Sequence, residues 1–435
     1  MASSRRTFVL AAGSALASTR IWGANDRVPV AVIGLGGRGR AHMNEYTRLP
    51  ESEVVALCDV NQAALERGQA LVAKAYDGRK PKGYDDMRKV FDDKDVTAVS
   101  MPLPNHWHAL ATIRACQAGK DVYIEKPACH NLYEGRKMVD AARKYKRMVQ
   151  VGSQSRSMPH MQKAVQLLKD GTIGKVYMAR GLCFKGRASI GHQPDLATPP
   201  AGIDWDQFLG PAPMRPFNQN RFAYNWHWFW DTGNGDIGNQ GVHEMDIARW
   251  GIDLGLPKTV SSSGGRYQWD DDGETPNTQL ASFGYGDREI VFEVRNISYI
   301  NEGQIGLDRD ANVIGDLFFG SDGTLVVDGS GFQVYKGQKR EKTMEEKRVK
   351  GAVSETGAHM QNFLAAVKSR RHEDLTADVQ IGVLSADLCH LANIAYRTGR
   401  TLKFDPEAQK FFNDSEADRL TTREYRKGYV VPENV

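Results

Sequence analysis

The arrangement that most restricts this chain is a glycine cluster set between a strand and a helix. Gly34-Leu35-Gly36-Gly37-Arg38-Gly39 follows the apolar run 28–33 directly and opens a helical pattern over 38–48. A G-x-G-x-x-G turn in that setting lets the backbone turn sharply and approach a ligand. The helix that follows offers N–H groups and the positive end of its dipole to a pyrophosphate. A glycine triplet alone carries little weight, but Asp59 ends a second apolar run, 54–58, 20 residues beyond Gly39. A carboxylate there can accept both hydroxyls of an adenosine ribose. Gly34, Gly36, Gly37, Arg38, Gly39 and Asp59 are therefore the expected dinucleotide contacts. The carboxylate repels a 2′-phosphate and favours NAD, while Arg38 and Arg40 leave NADP open.

From residue 28 to 152 such runs alternate with helical patterns, the order of a doubly wound parallel sheet. Strands are expected at 28–33, 54–58, 96–101, 121–125 and 148–151, with helices at 62–75, 106–118 and 132–144. Beyond Gly152 the rhythm changes to a helix near 161–168, a Pro- and Trp-rich stretch over 184–230, strand-like runs between 278 and 335, and helices over 359–368 and 379–397. This half reads as α+β, a large open and mainly antiparallel sheet carrying helices. The expected units are a Rossmann domain over 25–152, a substrate and oligomerisation domain over 153–403, and a C-terminal arm over 404–435. The arm is expected to wrap over a surface or a neighbouring subunit of a homo-oligomer, dimer or tetramer.

The formal net charge is +4, and Arg5, Arg6 and Arg20 in the acid-free first 24 residues leave +1 beyond them. Basic residues elsewhere mix with acids along helices, so no nucleic-acid partner is expected. The five cysteines show no C-x-x-C pairing and their number is odd, which speaks against a disulfide framework or a thiolate zinc site. No H-E-x-x-H-type spacing is present, and no metal is expected. Residues 1–24 read as a processing signal: Arg5-Arg6 precede a short apolar run, 8–17, which resembles a twin-arginine export signal. Ten residues are too few to span a bilayer. The expectation is a periplasmic protein with no membrane contact once the signal is removed.

Two motifs fall at the carboxyl edge of the first sheet, where ligands of such folds bind. Pro104-Asn105-His106-Trp107-His108 follows the strand over 96–101, and Glu125-Lys126-Pro127 stands at the end of the strand over 121–125. Pro104, Asn105, His108, Glu125 and Lys126 join the cofactor-side candidates. A lysine at a strand end is costly unless paired or used, and it can steady the charge that develops as a hydroxyl loses its proton.

Taken with Asn239-Gln240-Gly241-Val242-His243-x-x-Asp246, these motifs resemble, in order, those of the glucose-fructose oxidoreductase, inositol dehydrogenase and rhizopine catabolism (Gfo/Idh/MocA) family over about 28–399. The resemblance implies hydride transfer between a nicotinamide and a hydroxyl or carbonyl carbon of a sugar, glycoside or cyclitol. It further implies Lys126 at the reacting hydroxyl and His243 as proton acceptor or donor. Many members carry an Asp four residues before that histidine, where this chain has Asn239, so Asn239 is expected to bind a substrate hydroxyl. The aromatic run 221–230 supplies Tyr224 and Trp226 as a platform for a sugar ring. Gln154 and Arg156, just past the strand over 148–151, complete the expected substrate contacts.

Two other outcomes stay open: a redox-neutral, NAD-dependent glycoside-cleaving enzyme and a catalytically idle sugar-binding homologue. Retention of Lys126 favours the dehydrogenase. Export adds a further expectation, because no free nicotinamide pool replenishes a lost cofactor outside the cytoplasm. The dinucleotide should then stay tightly bound through turnover.

Overall fold

The computed structural model describes residues 26–297, 312–349, 351 and 353–435. The export signal expected over 1–24 lies outside them. The first half alternates strand and helix as expected: β1 (Val28–Ile33), α1 (Gly37–Tyr46), β2 (Ser52–Cys58), α2 (Gln62–Ala75), β3 (Lys82–Tyr84), α3 (Met87–Asp92), β4 (Ala98–Met101), α4 (Asn105–Gln117), β5 (Asp121–Ile124), α5 (Leu132–Lys144) and β6 (Val149–Val151). The six strands form one sheet in the order β3-β2-β1-β4-β5-β6, and every pair is parallel. The order reverses between β1 and β4, and the switch point leaves a crevice at the carboxyl ends of those strands. Short β3 has exposed glycine and lysine, so it gave no apolar run to read.

The second half begins with α6 (Pro159–Lys169) and β7 (Val176–Phe184). An insertion then carries β8 (Asp195–Leu196), α7 (Trp205–Leu209) and β9 (Phe217–Asn218), followed by α8 (Gly235–Asn239) and α9 (Gly241–Ile252). Strands β10 (Thr259–Gly265), β11 (Thr278–Gly284), β12 (Glu289–Arg295), β13 (Val313–Gly320), β14 (Gly323–Asp328), β15 (Gly331–Lys336) and β16 (Glu341–Lys347) precede α10 (Glu355–Ser369) and α11 (Val379–Thr398). The chain ends with β17 (Leu402–Asp405), β18 (Lys410–Phe411) and α12 (Ser415–Arg419). Ten strands form one sheet, β16-β15-β14-β13-β7-β12-β11-β10-β17-β18, antiparallel except for the β7–β12 pair. Alternating residues of β11 and β12, Ala281, Phe283, Ile290 and Phe292, are buried in one core with Met245 and Ala248 of α9 and Leu388 and Leu391 of α11.

Packing crosses the expected division at α10: Met360, Phe363 and Leu364 share a core with Val30, Val32, Tyr123 and Met148. The Phe363 ring meets Tyr123 edge-on at 5.9 Å. A parallel sheet must be covered on both faces, and here the second half of the chain supplies part of one cover. The C-terminal arm lies on the chain's own surface. Arg426 Nε donates to the Gly210 carbonyl (2.7 Å), and the Tyr429 ring packs edge-on against Trp107.

Candidate active site

A cavity of about 740 Å³ opens at the switch point and is walled by both domains. On the first-domain side the glycine turn has room for a ligand backbone. Gly34 has φ +93° with the Pro102 carbonyl 2.9 Å from where a Cβ would stand, and a Cβ on Gly39 would meet the Gly34 carbonyl at 2.0 Å. Gly36 and Gly37, by contrast, have nothing within 4 Å. Among the described residues no side chain caps α1 at Gly36, and Gly36, Gly37 and Arg38 at its start line the cavity. This cradle fits a pyrophosphate.

Asp59 also lines the cavity, and its carboxylate braces the turn by accepting N–H groups from Leu35 (2.6 Å) and Asn61 (2.8 Å). Burial raises its pKa, and those two bonds oppose the rise. Arg67, which sequence reasoning passed over, lines the same end, whereas Arg40 does not. Asp59→Ala removes both the carboxylate expected to accept the ribose hydroxyls and the brace. A bond to a charged group contributes about 1.5–3 kcal/mol, so NAD is expected to bind roughly 10- to 100-fold more weakly, with NADP favoured in relative terms. Titration of both cofactors checks this, and equal binding of the two by the parent protein would overturn the selectivity argument.

The insertion arches back over this end of the groove. Gln62 N–H donates to the Gly202 carbonyl (2.9 Å), Asp204 N–H donates to the Val60 carbonyl (2.9 Å), and Asn61 pairs with Ile203 in an isolated bridge. Phe208, Phe222 and Trp226 line the cavity from above. Of the three tryptophans in the aromatic run, Trp226 lines the cavity with Tyr224, Trp228 is core, and Trp230 stacks near Tyr396 in a separate hollow.

Glu125 ties the groove to the reactive end. Its Oε1 accepts from Arg38 Nε (2.7 Å) and from His42 Nε2 (2.9 Å), and His42 Nδ1 in turn accepts from the Ser100 hydroxyl (2.9 Å). Burial alone would raise the Glu125 pKa, but the Arg38 guanidinium and the His42 bond hold it well below the carboxylate range. Gly152 is required behind it, because a Cβ there would stand 2.9 Å from the carboxyl. The next residue, Lys126, precedes a cis bond to Pro127. Its Nζ lines the cavity and donates to the Asn239 carbonyl at 2.6 Å. Burial lowers its pKa, with Glu125 opposing.

Across from Lys126, Asn239 Nδ2 donates to Asp236 Oδ1 (3.0 Å) and lies 3.1 Å from the Tyr224 hydroxyl. Asp236 is fully buried. It accepts from Asn296 Nδ2 (2.6 Å) and Arg187 Nη2 (2.7 Å), and Arg187 Nη1 reaches the Tyr224 hydroxyl at 2.7 Å. Lys185 Nζ donates to Gln240 Oε1 at 3.1 Å. Arg187 and Lys185 were missed by sequence reasoning. The available signal was their alternation just past β7, which puts both side chains on one side. His243 stands one turn beyond Asn239, on α9 and outside the cavity wall itself. Its ring makes no hydrogen bond among the described residues. Burial, and then the neighbouring Lys126 ammonium, push its imidazole down to about 3.

Several expected contacts have other occupations. Pro104 lines the cavity, but Asn105 is buried behind it and donates to Asn234 Oδ1 (2.9 Å). The His108 ring is held between the carbonyls of Leu103 and Pro127 (2.8 and 2.7 Å), so it sets the Lys126-Pro127 turn and does not face a cofactor. Arg156, by contrast, makes a buried bidentate pair with Asp246 (2.7 and 2.9 Å) and lies over the Trp250 ring, away from the cavity wall. Gln154 is half-buried outside the cavity wall.

These features place the chain among dinucleotide-dependent oxidoreductases built from a Rossmann domain and an open-sheet domain. Residues 28–153 match the Gfo/Idh/MocA oxidoreductase family in its NAD-binding Rossmann fold, and residues 162–273 and 296–431 match its C-terminal alpha/beta domain, so the chain belongs to that family. Levoglucosan dehydrogenase of Pseudarthrobacter phenanthrenivorans is 26% identical over 226 residues, 51% of this chain and 50% of that protein. A glycosyl hydrolase family 109 protein of Stenotrophomonas maltophilia is 36% identical over 133 residues, 28% of this chain and 29% of that one. The chain thus aligns with half or less of the length of these curated relatives. In fold it is similar to the WlbA dehydrogenase of Bordetella pertussis, solved in complex with NADH and UDP-GlcNAcA, with a TM-score of 0.64, 17% identity, and coverage of 87% of this chain and 99% of that one.

Proposed function

We propose that this protein transfers hydride between a nicotinamide dinucleotide and a hydroxyl-bearing or carbonyl carbon of a sugar, glycoside or cyclitol. The observation that carries the reading is Lys126, whose Nζ is held at 2.6 Å by the Asn239 carbonyl in the wall of the cavity that begins at the glycine turn. A bound dinucleotide supplies the hydride acceptor or donor. Lys126 then stands where a substrate hydroxyl can be bonded and its developing negative charge stabilised. Asn239, Tyr224 and Arg187 offer further donors to neighbouring hydroxyls, and Trp226 offers an apolar ring face. His243, neutral down to about pH 3, is available as a proton acceptor beside the lysine.

The cover of the adenosine end by residues 202–204 supports a cofactor that stays bound through turnover. That property also suits a redox-neutral cleavage of glycosides, the reading favoured by the likeness to a glycosyl hydrolase family 109 protein. Incubating the protein with free sugars and glycosides and recording product masses distinguishes the two: loss of two hydrogens marks a dehydrogenase, and release of an aglycone marks cleavage. No change with any sugar would sink both.

The proposal includes export by the twin-arginine route, supported by Arg5-Arg6 and the apolar run after them. It also includes a homo-oligomer, dimer or tetramer. Retention of an Arg5→Lys, Arg6→Lys precursor in the cytoplasm tests the first, and light scattering the second.

A further inference from the structure

Three side chains outside the dinucleotide cavity converge where the two domains meet. Cys129 lies three residues past Lys126, in the connection between β5 and α5. Asp387 and His390 are on α11, spaced i and i+3, which sets them on one helix face. One ligand atom from each lies within 4.8 Å of the others. Cys129 and Asp387 are 0% exposed and His390 is 3% exposed. Neither oxygen of Asp387 has a hydrogen-bond partner among the described residues.

A buried carboxylate without a partner is among the most costly groups a protein can hold. Neither the thiol nor the imidazole beside it satisfies that carboxyl in the structure. The spacing points to a different partner. Metal–sulfur and metal–nitrogen bonds of about 2.3 and 2.0–2.1 Å in a tetrahedral site place the two donors about 3.5 Å apart. Cys129 Sγ and His390 Nε2 are 3.5 Å apart. A thiolate and a carboxylate together cancel the charge of a dication, so the occupied site carries no net charge into the interior.

We propose that Cys129, Asp387 and His390 bind a divalent metal ion of zinc type, with a fourth position completed by water from the adjoining cavity of about 340 Å³ that His390, Asn234 and Asn393 line. One sulfur, one nitrogen and one oxygen donor suit zinc over magnesium or calcium. Binding exchanges the thiol and carboxyl protons for the dication, so two protons leave per metal bound. The ion ties the loop that follows Lys126 to the long helix of the second domain. It holds no substrate and serves a positioning role.

The test uses full-length protein produced with zinc in the medium, with metal content measured by mass spectrometry and a parallel cobalt-loaded sample measured by absorption. The expected result is about one metal per chain, a thiolate-to-cobalt charge-transfer band in the near ultraviolet, and a melting temperature that falls on chelation. Asp387→Asn and Cys129→Ser should each bring metal content to background and abolish the band. Background metal in the parent protein after incubation with zinc would overturn the proposal, and so would full metal content in Asp387→Asn. The amide variant separates the readings further, because relief of an unpartnered buried carboxyl in a metal-free protein raises its melting temperature, whereas loss of a metal ligand lowers it. Should neither variant fold, the metal content and cobalt spectrum of the parent protein decide.

Discussion

A Lys126→Met protein is expected to retain NAD and to turn over at least about 10²-fold more slowly, the loss typical of a removed acid–base or electrostatic contact. Methionine keeps the length and apolar stem of lysine, and the glycine turn and Asp59 are untouched. The change therefore removes the ammonium and little else. The pH profile gives the finer reading. Burial lowers the Lys126 pKa, so the ammonium that stabilises the developing charge is lost below the ordinary lysine range. Oxidation by the parent protein should fall as pH rises through that ionisation. His243 protonates only near 3 and should contribute no limb at neutral pH. Near-normal turnover in Lys126→Met would remove the lysine from the mechanism. Retention of the alkaline limb in that variant would assign the limb to another group.

Glu125→Ala should give the largest loss of stability, about 3 kcal/mol by the magnitude typical of a broken buried pair. The lower end of that range applies because the Arg38 side chain is 36% exposed and can turn to solvent. The same change frees α1, whose Arg38 and His42 both bond the lost carboxylate, so cofactor binding should weaken as well. The parent's dependence on pH follows from the sign of the shift. With its folded pKa held well below 4.5, Glu125 contributes stability that is fully present above the unfolded value and is lost as pH falls through the folded one. Chemical denaturation of both proteins between neutral and acid pH measures the effect. A stability difference that does not shrink in acid would contradict the assignment.

Much of the first domain was legible because its buried strands are continuous apolar runs and its glycines sit at a strand–helix junction. The glycine turn, Asp59 and Lys126, which all line the cavity, were readable for that reason. The failures have a common physical cause. His108, Asn105 and Arg156 occupy motif positions or the sheet's carboxyl edge, yet each is held by a partner distant in sequence, such as Pro127, Asn234 or Asp246, and no local pattern announces which side of a wall a polar residue faces. Arg187 was missed because its importance comes from Asp236, an acid in a different element. Cys129, Asp387 and His390 were unreadable as a group for the same reason, since metal motifs are recognised by short spacing and these residues meet only through the fold.

The packing of α10 on the first sheet bears on how the chain is made. Translation delivers all six strands of the dinucleotide domain before residue 160, whereas Met360 and Phe363, which cover Tyr123 and Met148, come some two hundred residues later. Until then one apolar face of the nascent sheet lacks part of its cover, and a domain in that condition is prone to sticking. The two halves are therefore one cooperative object in biogenesis. A fragment ending near residue 152 should be poorly soluble, and a frameshift ahead of α10 should unmake the cofactor domain at the front.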